Sequence, residues 1–428
     1  MTIKKTIVGL AIAASTLLAL TACGSSAASS GGGNAATANL DGVGPITYVQ
    51  GKDNSNTVRP LIDQWNQQHP DQQVTFKEQS DQADQQHDDL VQHFQAKDAD
   101  YDVVSVDVVW TAEFAAKGWL QPLKDQVAFD TTGMLDPTVK AATYNNTLYA
   151  APTTSDAGLL YYRSDLVPTP PTTWDEMIAD CPIAQANGMD CYAGQFAQYE
   201  GLTVNTAEAI NTAGGQIIGP DGKTPTVDSP EAAKGLHQLV DNYANGKIPK
   251  EAITFQEEQS RQAFQDGKLL FLRNWPYVYN LASAADGSSK VNGKFGVAPL
   301  PGLTPDKPGA SSLGGHSMGM SVYSDHKKTA LAFMQFMTGE QAQQSNLTKG
   351  SLAPTLASLY SDPGNVAQFP YLPVLQVSIE NAVPRPVTPF YPAVTKAIQQ
   401  NAYEAIQGTK TVEQALTDMQ AAIQAASG

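Results

Sequence analysis

The stretch from Ile46 to Asp107 constrains the fold more than any other. Ile46-Thr47-Tyr48-Val49 reads as a short strand and Gly51–Asn56 as the loop at its end. Val58, Leu61, Ile62 and Trp65 then recur at helical spacing until His69-Pro70-Asp71 stops the helix. Val74–Glu78 is a second strand, Leu90, Val91 and Phe94 mark a second helix, and Tyr101–Val106 is a third strand. That last run is almost continuously apolar, the pattern of a strand covered on both faces. The alternation β-α-β-α-β predicts a parallel sheet with helices on both sides. Ligands of such sheets sit outside the carboxyl ends of the strands.

That rule selects the residues following each strand. Asp53 and Asn54 follow the first, Gln79, Ser80 and Asp81 the second, and Asp107 and Trp110 the third. Asp and Asn are also ordinary turn and helix-cap residues, so each position has a purely structural explanation. Three strand ends delivering carboxylates or amides together are harder to explain that way.

A different chemistry is concentrated in Phe271–Tyr279, FLRNWPYVY. Leu269–Leu272 reads as a buried strand, and Pro276, with its fixed φ and no N–H, suits the first turn of a helix. Trp275 and Tyr277 then sit at a strand-to-helix corner, with the donors Arg273 and Asn274 beside them. A flat apolar ring with polar donors at its rim suits a sugar, whose C–H faces stack while its hydroxyls bond. A core tryptophan is the plain alternative.

From Ile46 onward the chain exceeds one comfortable core, and two lobes are expected. Leu148–Pro152 and Thr153–Arg163 read as strands, with the first crossing between lobes near Asp156. Ser229-Pro230-Glu231 opens a helix with Leu236, Leu239, Val240 and Tyr243 on its apolar face. Gly296–Pro301 is a short strand with a proline-rich exit, taken as the return crossing. Gly314–Val322 is a glycine-led strand whose glycines permit close backbone approach; no Gly-Lys-Ser/Thr follows, so it is not a phosphate loop. Ser324 or Asp325 is expected to cap the next helix, and Thr411–Gln414 the last one. Arg385 is pinned between Pro384 and Pro386.

The 428-residue chain has 42 acidic and 26 basic residues, a formal charge of −16, and no basic cluster to track phosphates, which argues against nucleic acid as a partner. Lys4 and Lys5 precede a short apolar run, Ile7 to Leu20, and then Thr21-Ala22-Cys23. The run is short for a membrane span and reads as an export signal; it resembles a bacterial lipobox, with Cys23 lipidated. Residues 24–44 are dominated by Gly, Ser, Ala and Asn, a tether with a span of roughly 25 Å. In an exported chain, Cys181 and Cys191 are expected to form a small disulfide loop. Six scattered histidines, with no HExxH and no second Cys pair, offer no metal site.

The lipobox and tether, the three-strand opening, DAGLLYYRSDL (Asp156–Leu166), the segment from Phe264 through NWPYVY, the Gly314-Gly315 strand and RPVTPFYPAV (Arg385–Val394) together resemble the extracellular solute-binding proteins of ABC sugar importers. Within them the chain is most similar to the trehalose/maltose-binding branch. The resemblance implies an α/β, two-lobed, periplasmic-binding-protein-like fold with a ligand cleft between the lobes, no catalysis and no cofactor. It implies a lipid-anchored monomer outside the cell membrane, a small carbohydrate ligand and an ABC permease as partner. The domains expected are a signal peptide at 1–22, a lipidated Cys and tether at 23–44, a first lobe at 45–155 with 302–350, and a second at 156–301 with 351–428. By resemblance Asp107 and Asp156 accept from hydroxyls, Trp275 and Tyr277 form the stacking wall, Gly314 and Gly315 the close backbone, and Arg385 a donor. Asp53, Asn54 and Asp81 complete the candidate site. A lipid-anchored glycoside hydrolase using a carboxylate pair, a binding protein for a non-sugar ligand such as a peptide, and a structural surface lipoprotein remain alternatives at this point.

Overall fold

The computed structural model of the protein describes residues 40–428; the export signal, Cys23 and nearly all of the tether lie outside them. In chain order the elements that matter here begin with β1 (Ile46–Gln50), α1 (Val58–Gln68), β2 (Val74–Glu78), α2 (Ala83–Ala96), β3 (Val103–Asp107), α3 (Thr111–Ala116) and β4 (Ala150–Pro152). Then come β5 (Asp156–Ala157), β6 (Leu159–Tyr162), β7 (Asp190–Ala193), α4 (Glu200–Thr212), α5 (Pro230–Ala244), α6 (Glu257–Gln265), β8 (Leu269–Asn274), α7 (Val278–Ala282) and β9 (Gly296–Ala298). The rest are β10 (Ser312–Gly314), β11 (His316–Met320), α8 (Lys327–Thr338), α9 (Glu340–Gly350), β12 (Val383–Pro384), α10 (Tyr391–Ile406) and α11 (Val412–Ser427).

The strands form two main sheets, one per lobe. The first has the order β2-β1-β3-β11-β4. Its opening three strands are parallel, and β11 runs antiparallel to β3 and β4. Both faces are covered. Val104 and Val106 pack into one apolar cluster with Leu90, Phe94 and Phe114, and Val103 into another with Trp65, Met318 and Phe333. Alternate residues therefore meet different helices, which is why the third strand's sequence is apolar almost throughout. The second sheet has the order β9-β6-β8-β7. Its central strands are wholly apolar or buried, and α4, α5, α10 and α11 pack together beside it.

A third, small sheet joins the lobes. Its order is β12-β10-β5, and each strand is a place where the chain passes between them. Asp156 pairs with Gly314, Ala157 with Leu313, and β10 pairs with β12. The run read as one strand from Thr153 to Arg163 is thus two, belonging to different sheets. So is the glycine-led run at 314–322: Gly315 breaks it with φ +109°, a conformation that L side chains rarely adopt. A Cβ at Gly315 would also stand 2.2 Å from the Thr154 carbonyl oxygen.

The return crossing lies at this small sheet and not at Gly296–Pro301. That segment is β9, an edge strand antiparallel to β6. Gly302 and Ala310 are bonded to Thr172 and Thr212 of the second lobe, and the Ser312 N–H donates to Glu208. Residues 302–311 therefore belong with the second lobe. The proline-rich exit resembled a crossing because prolines end a strand, but long-range pairing decides where the chain goes next. Helix α8 starts after both expected caps, Ser324 and Asp325: His326 is its N-cap, and Ser324 accepts from the His326 N–H. The caps at Ser229 and Thr411 accept from Ala232 and Gln414 as their sequences suggest.

A disulfide joins Cys181 to Cys191. Thiol titration of the denatured, unreduced chain lacking residues 1–23 should find no free thiol; two thiols would show that the bond does not form. Gly315→Ala should destabilise the fold by about 1–3 kcal/mol, the range for a backbone held in a disfavoured region, read as a lowered Tm. An unchanged Tm would show that the hinge tolerates a Cβ.

Candidate functional site

The carboxyl ends of β1, β2 and β3 open onto a cavity of about 280 Å³ between the lobes. Asp53, Asn54, Asp81 and Asp107 line it from the first lobe. Trp275 and Tyr277 line it from the second, and Asp156, Gly314, Gly315 and Arg385 from the crossing sheet. The ten candidate residues therefore share one cleft, although their surroundings give them different tasks.

Asp53 acts mainly on its own lobe. Its Oδ2 accepts from the N–H of Val58, the first residue of α1, at 2.8 Å, so it satisfies one of the helix's free N–H groups from the preceding loop, while Thr57 is the N-cap. Asp81 is exposed at the rim. Trp110 is buried against Phe114 and His87 and does not face the cleft. Gln79 also turns aside, donating to Asp89.

Trp275 is held from behind. The Arg273 guanidinium lies over its ring at 4.0 Å from the centroid. Arg273 is 1% exposed, and its Nε donates to Glu208 Oε2 at 2.8 Å and its Nη1 to Gln195 at 3.0 Å. Asn274 Oδ1 accepts from the Trp275 N–H at 2.8 Å, while its Nδ2 donates to Ser260 and to the Glu257 carbonyl. Tyr161 donates its hydroxyl to the Trp275 carbonyl at 2.8 Å. Arg273 and Asn274 are therefore not donors at the rim of the ring, as their sequence position suggested. They lie in the strand, and the second lobe needs them buried and paired. Gly314 completes the setting: a Cβ there would stand 2.8 Å from Trp275 Cζ3.

Arg385 is likewise buried and paired. One of its terminal nitrogens reaches Glu200 Oε1 and the other Asp107 Oδ1, the latter at 3.2 Å. Its Nε is buried and, among the described residues, has no hydrogen-bond partner. Tyr391 also donates to Glu200 Oε1, and Thr395 donates to Glu200 Oε2 at 2.5 Å. Glu200 was not recognised in the sequence, nor were Glu257 and Glu258, which stand at the start of α6 and line the same cleft. Tyr199 donates to Glu257 at 2.6 Å, and Tyr277 donates to Glu258 at 2.7 Å. The only sequence signal was an acid opening a helix, which is what any first turn prefers.

Asp156 differs from the other acids. Among the described residues no hydrogen bond to its carboxylate is formed, and burial, reinforced by the negative charge of Asp107 and opposed by Arg273, pushes its carboxyl up to about 7. It is an acceptor facing the cleft with both oxygens available. His316, next to Asp107 in register, is held below the usual histidine range by burial, against the opposing pull of Asp107. No group of His, Cys, Asp and Glu among the described residues is arranged to hold a metal ion, and no described helix is long and apolar enough to cross a membrane.

The arrangement brings the face of Trp275, the Asp156 carboxylate and the buried Nε of Arg385 to one cleft, between lobes joined by three short strands. Residues 50–344 match the family of bacterial extracellular solute-binding proteins. A probable ABC transporter-binding protein of Deinococcus radiodurans is 34% identical over 309 residues, 69% of this chain and 72% of that protein. The structure of maltose-bound MalE3 of T. maritima aligns with a TM-score of 0.84 at 33% identity, over 89% of this chain and 99% of that one. The GacH receptor of Streptomyces glaucescens GLA.O shares the fold with a TM-score of 0.80 at 21% identity, over 90% and 98% of the two chains. The chain belongs to the bacterial extracellular solute-binding proteins, the non-catalytic binding components of ABC transporters.

Proposed function

We propose that this protein captures an α-linked glucose disaccharide or short oligosaccharide, of the trehalose or maltose type, for import. The observation that carries the reading is Trp275, locked by Arg273 and Asn274 with its ring lining the same cleft as the Asp156 carboxylate. The 33% identity to a maltose-bound relative supports the same ligand class. The cavity, about 280 Å³, lies just below the roughly 300–1,000 Å³ usual for small-molecule pockets, which favours a short sugar over a long one.

On this reading sugar C–H groups stack on Trp275, hydroxyls donate to Asp156 and Asp107, and Arg385 Nε donates to a ligand oxygen. Tyr277 extends the wall, with its hydroxyl fixed on Glu258. Asn54 and Asp81 meet the ligand at the rim. The lobes part and close about the three-stranded crossing, and the ligand stabilises the closed form. Cys23 carries the lipid, residues 24–44 tether the lobes outside the membrane, and the closed monomer delivers its sugar to the permease.

Calorimetry of the chain lacking residues 1–23 against trehalose, maltose, maltotriose, raffinose and a short-peptide mixture tests this. One-to-one binding of an α-glucoside near micromolar affinity, about −8 kcal/mol, is expected. Trp275→Ala should weaken it by about 2 kcal/mol or more, roughly 30-fold. Heat with peptides and none with sugars would overturn the proposal.

Asp156 adds a pH dependence. Hydroxyl donors stabilise its ionised form, so affinity should rise with pH up to about 7 and then level off. At pH 6 binding should be about tenfold weaker than above pH 8. For the ligand-free protein the sign is reversed. A carboxyl with a native pKa above its unfolded value holds its proton more tightly when folded, so its contribution to stability falls as pH rises from about 4 to 7. Asp156→Asn should flatten both profiles between pH 5 and 8. Parallel curves for the two proteins would show that Asp156 does not titrate in this range.

A further inference from the structure

Outside the cavity, a second polar bridge connects the lobes. Asp84 lies in the first turn of α2 and does not line the cleft. Its Oδ1 accepts from the Glu200 N–H at 3.3 Å, at the start of the 13-residue helix α4. Its Oδ2 accepts from Gln399 Nε2 on α10 at 3.2 Å. Both donors belong to the second lobe.

The bridge continues inward. Gln399 Nε2 also donates to Thr395 Oγ1 at 3.0 Å, and Thr395 in turn donates to Glu200 Oε2. Glu200 receives Arg385, which reaches Asp107. This chain of bonds leaves the first lobe at Asp84, passes through α10 and α4, and returns to the first lobe at Asp107. A carboxylate facing a helix N-terminus is favoured by the helix dipole as well as by the N–H itself. The Glu200 side chain itself is held by Arg385, Tyr391 and Thr395.

We propose that Asp84 is a positioning residue for closure. It holds the lobes together without touching the ligand, and so sets how much of the ligand-free protein is closed and how slowly a bound ligand escapes. The proposal rests on the reading that the lobes part and close. When they part, Asp84, the Glu200 N–H and Gln399 exchange their bonds for bonds to water. The closed form keeps only the small net gain of protein–protein bonds over those to water. Losing that gain shifts the balance between open and closed without altering any group that a ligand meets.

Small-angle scattering of the ligand-free chain lacking residues 1–23 reads the lobe separation, and stopped-flow binding of maltose reads the rates. Asp84→Ala should enlarge the ligand-free protein and raise koff about tenfold with kon changed less than threefold. Gln399→Glu should do the same, by placing a carboxylate against Asp84. The double variant Asp84→Asn with Gln399→Glu exchanges donor for acceptor: the Asn carbonyl still accepts from the Glu200 N–H, and its amide donates to the new acid. It should restore the compact form and the slow koff. Scattering that is identical for Asp84→Ala and the parent, or a double variant as open as Gln399→Glu alone, would overturn the proposal. Scattering requires no ligand, so absence of maltose binding by the parent would count against the sugar reading alone.

Discussion

Arg385 carries a permanent charge and is 3% exposed, so it can be accommodated only where carboxylates surround it. Asp107 ends the parallel strand β3 of the first lobe. Glu200 opens α4 of the second, and Arg385 directly follows β12 of the crossing sheet. Residues from three distant stretches are thereby drawn together where the lobes meet. Removing one partner of such a cluster typically costs about 3–5 kcal/mol, because a buried charge is left uncompensated. The cleft takes its floor from this cluster, and the lobes cannot separate without exposing part of it to water.

The second lobe applies the same physics to a different end. Arg273 and Asn274 precede Trp275 within the buried strand β8, and their polar groups are all satisfied inside the lobe by Glu208, Gln195, Ser260 and the backbone. Their role is to fix the aromatic ring. A platform with one face backed by a guanidinium and its main chain tied at both ends loses little freedom when a ligand settles on it, which lowers the ordering cost of binding. Asp156 is the complement of that platform. Every other carboxylate at the core of the cleft already receives a proton donor, whereas among the described residues Asp156 receives none.

How much was legible depended on the range of the interaction. Strands β1 to β3 and their helices were readable because hydrophobic periodicity is local, and the rule that ligands gather beyond parallel strand ends then pointed to Asp53, Asp81 and Asp107. The NWPY corner was readable from its composition, although which of its residues would face outward was not. Glu200, Glu257 and Glu258 were not legible: an acid in the first turn of a helix stabilises the helix wherever that helix points. The return crossing was misplaced at Gly296–Pro301 because a strand followed by prolines shows only that the strand ends.

The sequence by itself determined the alternating α/β pattern, the aromatic corner, the proline-flanked arginine and the pair of cysteines, since each follows from residue type and short-range spacing. Only the tertiary structure decided that Asp156, Gly314 and Arg385 stand side by side. That depends on pairing between segments more than 150 and 60 residues apart, and no local pattern encodes a partner so distant. It also decided which charges are spent and which are free. Arg273 is consumed by Glu208, while Asp156 remains open to the cleft. A charged side chain becomes structural or available only when burial brings, or fails to bring, its counter-charge into contact.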